Sequence, residues 1–146
     1  SAADYAFDIG TAGAATLVIA GLVLVGEKPG EWRLVETGTL SVLHRAARVA
    51  GALPLAVTMS RWGDEYYGSA GLVIPEDSSA RELMEVGEIA WWPPGKALCV
   101  FFGPTPASTD ERPRAASGVL PVGRVTGGID ALPALGSHVK AVFRTA

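Results

Sequence analysis

The chain has 146 residues, about one domain's worth, and its 12 Lys and Arg against 15 Asp and Glu give a net charge of −3. Hydrophobic residues make up 49% and charged residues 18%, and 18 glycines and 10 prolines punctuate the chain. These values exclude a disordered charged tail, a long charged helix and a helical bundle, and the missing basic surplus argues against a nucleic-acid binder.

Residues 1–12 are expected to be loosely ordered, as a remnant or a processed end, with 13–146 forming a single domain. Ala14 to Val25 is the most apolar stretch. It is too short to cross a bilayer as one helix and lacks the basic flank of a signal peptide, so no membrane partner is expected. Its β-branched residues predict a long strand bent at Gly21, joined through a turn at Lys28-Pro29-Gly30-Glu31 to a second strand over 32–37. The spacing then predicts the one main helix over about 39–50. Leu40, Leu43, Ala47 and Ala50 lie on one stripe, and Ser41, Arg45 and Arg48 on another. His44 reads as a half-exposed helix residue rather than a base.

After the helix come short strands and turns: 55–59, an aromatic strand start at Tyr66-Tyr67, then 71–75, 82–86, 89–92, 97–102, 118–126 and 139–144. Pro93-Pro94-Gly95-Lys96 is a turn, 103–117 a proline-bearing loop, and 129–135 a short helical turn. Pro121 inside its strand marks an edge or a bulge. About eight strands and one helix predict a mainly β fold, a small closed barrel that leaves no sheet edge free.

Standard catalytic patterns are absent. Gly95-Lys96 lacks both the first glycine and the Ser/Thr of a phosphate loop, because Ala90 and Ala97 stand there. The two histidines have no metal-ligand spacing, and neither a metal nor a cofactor is expected. The single Cys99 lies in an apolar run and reads as core; the absence of a disulfide framework fits a reducing cytoplasm. Asp64 and Glu65 would point to opposite faces of a strand, so paired acid–base work is not expected, and Asp64 reads as a satisfied turn carboxylate. Aromatics near turns remain: Trp62, Tyr66, Tyr67, Trp91, Trp92, Phe101 and Phe102. On regular strands Trp91 and Trp92 cannot both be core, nor can Phe101 and Phe102, so one of each pair lines a groove or is covered by another segment.

Trp62-Gly63-Asp64-Glu65 and, above all, the run from Gly87 through Trp91-Trp92-Pro93-Pro94-Gly95-Lys96 to Gly103-Pro104-Thr105-Pro106 resemble the small prokaryotic cyclophilin-like proteins, an atypical branch of the cyclophilin fold. The resemblance implies a closed eight-stranded cyclophilin-like β-barrel with a flanking helix. Cyclophilins proper are peptidyl-prolyl cis-trans isomerases, which need an apolar groove for the proline ring and an arginine for the amide, but no titrating acid, base or metal. The Phe-His-Arg and Gln-Gly-Gly-Asp signatures of true cyclophilins are absent, and only Gly63-Asp64 echoes the second. Arg61 is the candidate catalytic arginine, with Arg112 and Arg114 as rivals. The candidate ligand groove is Trp62, Glu65, Tyr67, Phe102, Thr105 and Pro106, taking a proline-containing peptide or a small molecule. Two alternatives stay open: a non-catalytic binding module using the same groove, and a homo-oligomer whose exposed aromatics form the interface.

Overall fold

Strand alternation and turn chemistry set the architecture. The computed structural model describes residues 5–9, 14–19, 24–25, 33–34, 40–125 and 127–145, with side chains over 44–125 and 127–144. The elements are β1 (Tyr5–Ile9), β2 (Ala14–Ile19), β3 (Leu24–Val25), β4 (Arg33–Leu34), α1 (Leu40–Gly51), β5 (Leu55–Arg61), β6 (Glu65–Ser69), β7 (Arg81–Leu83), β8 (Glu88–Trp92), β9 (Ala97–Phe101), β10 (Arg114–Val125) and β11 (His138–Thr145). Two 3-10 turns, Pro93–Gly95 and Ile129–Ala134, fall where turn residues cluster in the sequence.

The protein is mainly β and antiparallel. One nine-stranded sheet runs β2-β1-β11-β5-β6-β9-β8-β10-β7, and β2 pairs also with β10 through Leu17, Val18 and Ile19. β3 and β4 form a separate two-stranded pair. The turn expected at 28–31 and the bend at Gly21 lie outside the described residues. Tyr5–Ile9, within the stretch expected to be loosely ordered, pairs with both β11 and β2.

Period-2 alternation sorts the side chains of the sheet into two apolar clusters. The larger joins Val57, Met59, Tyr66, Trp91, Leu98, Val100, Leu120 and Phe143 to Val49 of α1 and Leu132 of the second 3-10 turn. The smaller joins Met84, Ala90, Cys99, Phe101, Ala115 and Val119 on the opposite face, with Tyr67 and Trp92 packed against it. Trp91 and Trp92 therefore do point to opposite faces, and so do Phe101 and Phe102. Phe101, the member left over from the larger cluster, is fully covered by the smaller one.

Three local expectations are corrected. Residues 71–75 form no strand but an extended loop, because they have no ladder partner; only Ile74 of this run is buried. Among the residues of α1 whose side chains are described, the buried ones are Arg45, Ala46 and Val49, while Ala47 is exposed. Arg45 is 1% exposed despite its place on the expected polar stripe: its Nε donates to Pro121 O at 3.0 Å and its guanidinium pairs with Asp77 at 3.0 Å. A buried guanidinium is tolerated when its donors are engaged in this way. Pro121 lies beside a register shift between β10 and β8, the irregularity expected of a proline inside a strand.

Candidate ligand-binding cleft

β5 and β6 are joined by Trp62-Gly63-Asp64-Glu65. Trp62 N–H donates to Glu65 O at 2.8 Å, and Glu65 N–H returns to Trp62 O at 3.2 Å. Two residues remain in the loop, and Gly63 takes φ 60°, which a side chain rarely adopts. A Cβ there would stand 2.8 Å from both Pro106 Cδ and Thr105 Cα, so the hairpin tip is keyed into the loop after β9. The pairing then divides neighbouring residues between two faces. Arg61 lies opposite Tyr66 and Ser60 opposite Tyr67. Arg61 and Tyr66 therefore share one face, while Trp62, Glu65 and Tyr67 share the other.

On the Trp62 side is a cleft of about 230 Å³. Its walls are aromatic: Trp62 from the hairpin tip, Tyr67 from β6 and Trp92 from β8. β10 contributes Ala115, Ala116 and Val119, small residues that leave the space open. Tyr67 and Trp92 stand edge to face, with centroids 6.4 Å apart and planes at 80°. The Trp92 indole N–H donates to Ser117 Oγ at 2.7 Å, which fixes the ring. Glu65 also lines the cleft and is 5% exposed. Its Oε1 is buried without a hydrogen-bond partner. Burial pushes its carboxyl up from an ordinary 4.5 to about 7, a hydrogen bond with the Cys99 thiol acting in the opposite sense. The Cys99 thiol is itself pushed up by burial and by the adjacent carboxyl, which makes it a poor nucleophile at neutral pH.

The opposite side of the same hairpin is polar but closed. Arg61 Nε donates to Gly63 O at 2.9 Å, Nη1 to Pro133 O at 2.9 Å and Leu135 O at 3.0 Å, and Nη2 to Asp64 Oδ1 at 2.9 Å. Its guanidinium carbon lies 5.1 Å from the Phe102 ring centroid and 5.9 Å from that of Tyr66, and these two rings stack at 5.5 Å. Tyr66 Oη donates to Gly136 O at 2.6 Å. Asp64 is the satisfied turn carboxylate that the sequence suggests.

The sequence model described as cyclophilin-like matches residues 32–144. The chain belongs to the cyclophilin-like family. Among solved structures, the cyclophilin-like chain is similar to the solution structure of the hypothetical protein AF2241 from Archaeoglobus fulgidus, with 27% identity and a TM-score of 0.66 over 99% of this chain and 95% of that one. No curated protein matches significantly. Among the described residues, no helix is long and apolar enough to cross a membrane.

Of the expected groove residues in this cyclophilin-like domain, Trp62, Glu65 and Tyr67 come together at the cleft. Phe102, Thr105 and Pro106 do not line it. Phe102 stacks on Tyr66 beneath Arg61, on the other face. Thr105 is buried and takes the Ala107 N–H on its hydroxyl, so it holds the loop's own turn. Pro106 packs against the hairpin tip. Arg61 likewise faces away from the cleft, with four of the five N–H donors of a guanidinium engaged by the protein. Arg112 is exposed and forks onto Asp110, whose carboxyl it pulls down to about 2. Arg114 is half-buried at the start of β10, its Nε without a hydrogen-bond partner, and does not line the cleft. Trp92, Ala115, Ala116 and Val119 are not among the expected site residues. Trp92 is accessible to sequence reasoning as the outward member of the Trp91-Trp92 pair; the two alanines carry no signal.

Proposed function

We propose that this cyclophilin-like domain is a non-catalytic binding module that takes a small molecule, or the end of a peptide side chain, in the cleft walled by Trp62, Tyr67 and Trp92. The observation that carries this reading is Glu65, a buried carboxyl with an oxygen left unpaired at the edge of an aromatic-walled space. A native fold rarely leaves such a group unless something completes it. The pairing of β2 with β10 supports the companion reading that β1, β2, β5, β6 and β8–β11 close into an eight-stranded barrel, with the cleft on its outer face.

Isomerase action is disfavoured within this proposal. An arginine that stabilises a twisting X-Pro amide needs free donors facing the bound proline. Arg61 has one N–H left and lies on the other side of the hairpin. A protease-coupled proline isomerisation assay is expected to give no rate above background. In parallel, a fragment screen followed by NMR is expected to move the indole N–H signals of Trp62 and Trp92. A clear isomerisation rate would overturn the non-catalytic reading. A screen that leaves both indole signals unmoved would overturn the cleft.

A further inference from the structure

Resting on the reading of the cleft as a binding site, we propose that its ligand is an organic cation: a methylated or protonated ammonium group carried by a small molecule or a side chain. Three features converge on this chemistry. The walls are aromatic rings, whose negative faces attract a cation within about 6 Å. Tyr67 and Trp92 stand at 80° to each other and so form a corner, held in place by the bond from the Trp92 indole to Ser117. Glu65 lines the cleft with one oxygen buried and unpartnered, and because an ionised carboxylate is purely an acceptor, it favours a donor or a positive charge from the guest.

The cleft lining itself offers no internal substitute, and Arg114, which precedes Ala115 on β10 and whose Nε is likewise buried without a partner, does not line it. Among the described residues, Glu65 is the one acidic or basic side chain lining the cleft. β10 presents Ala115, Ala116 and Val119, and β8 presents Trp92. β9 presents Cys99, whose thiol is the titratable group coupled to the carboxyl. Tyr67, on β6 with Glu65, is the other titratable group in the wall. The nearest arginine on the hairpin, Arg61, points to the opposite face with its own partners. A volume of about 230 Å³ lies below that of sites for whole drug-sized ligands, and suits a headgroup.

Charge pairing in such a site links binding to pH. With the Glu65 carboxyl at about 7 when empty, a bound cation pulls it down, so binding tightens as pH rises towards 7 and levels off above it.

The test pairs choline with 3,3-dimethyl-1-butanol, its neutral carbon isostere, in calorimetric and NMR titrations of the full chain. At pH 8, choline is expected to bind at least ten-fold more tightly than the isostere, with the advantage shrinking at pH 5.5. Glu65→Gln should cut the advantage to the part the rings supply and remove its pH dependence while leaving the fold intact, because Gln has the shape of the protonated side chain. Trp92→Ala should weaken both probes. Equal or tighter binding of the isostere at pH 8 would overturn the cation assignment and keep the cleft as an apolar slot. So would shifts at Trp62 and Trp92 with a proline-containing peptide but with neither probe. If no probe or peptide moves either indole signal, both the cation and the cleft fall.

Discussion

The two faces of the β5–β6 hairpin use similar residues to opposite ends. On one face an arginine, a carboxylate and two stacked rings satisfy one another: Arg61 engages Asp64 and three backbone carbonyls above Tyr66 and Phe102. On the other face a carboxylate and three rings surround open space, and Glu65 Oε1 is left without a partner. Aromatics beside a charge do not by themselves distinguish architecture from a site. The state of the polar atoms does: where the carboxylate and four of the five guanidinium donors are engaged the cluster holds the fold, and where a buried acceptor lacks a donor the cluster is open to a guest.

The largest expected effect comes from breaking the closed face. Arg61→Ala removes four hydrogen bonds and the cover over two rings, and urea denaturation should register a loss of roughly 3–4 kcal/mol, the range for stripping a partly buried charge from its partners. Cleft binding should be retained under conditions where the variant is folded.

The open face should behave in the reverse sense. The Glu65 carboxyl is raised when folded, so the folded state holds the proton more tightly than the unfolded chain, and its share of stability falls as pH rises from about 4.5 to about 7. At 1.36 kcal/mol per pH unit, the penalty reaches about 3 kcal/mol and then stays flat. Glu65→Gln should therefore be more stable than the parent at pH 8 and no more stable at pH 4, as measured by denaturation at both. A parent and variant with the same pH dependence would mean that the carboxyl is not held in the empty cleft as described.

The seam between the faces is the next target. Gly63→Ala forces a side chain into φ 60° and against Pro106 and Thr105. A loss of about 2 kcal/mol is expected in thermal or chemical melts, from strain and overpacking. The smallest effect is that of Ser117→Ala, which releases the Trp92 indole N–H. About 1 kcal/mol of stability should go, with a broadened indole signal in NMR.

Much of this contrast is legible in the amino-acid pattern. Alternation and the Gly/Pro punctuation locate β5, β6, β8, β9, β11 and the later part of β10, whose first residues, 114–117, fall in the expected loop, and α1 begins within a residue of its expected start. Trp62, Tyr66 and Tyr67 stand out in the pattern and the family resemblance adds Arg61 and Glu65, yet neither assigns them to faces. Sorting them requires the register of the hairpin. Once Gly63-Asp64 is taken as a two-residue loop, Trp62 faces with Glu65 and Tyr67, and Arg61 with Tyr66. The burial of Arg45 cannot be anticipated in the same way, because its partner Asp77 arrives from a loop 32 residues away. Nor can Ala115 and Ala116, whose contribution is the space they leave.

β11, the last of the described strands, sits between β1 and β5. Its register pairs Phe143 with both Phe7 and Leu55. During synthesis, then, the N-terminal strand and the central hairpin must wait with two open edges until residues 138–145 emerge to be shared between them. A chain truncated before that point would leave the edges of β1 and β5 that face β11 unpaired, the kind of exposed edge that seeds aggregation.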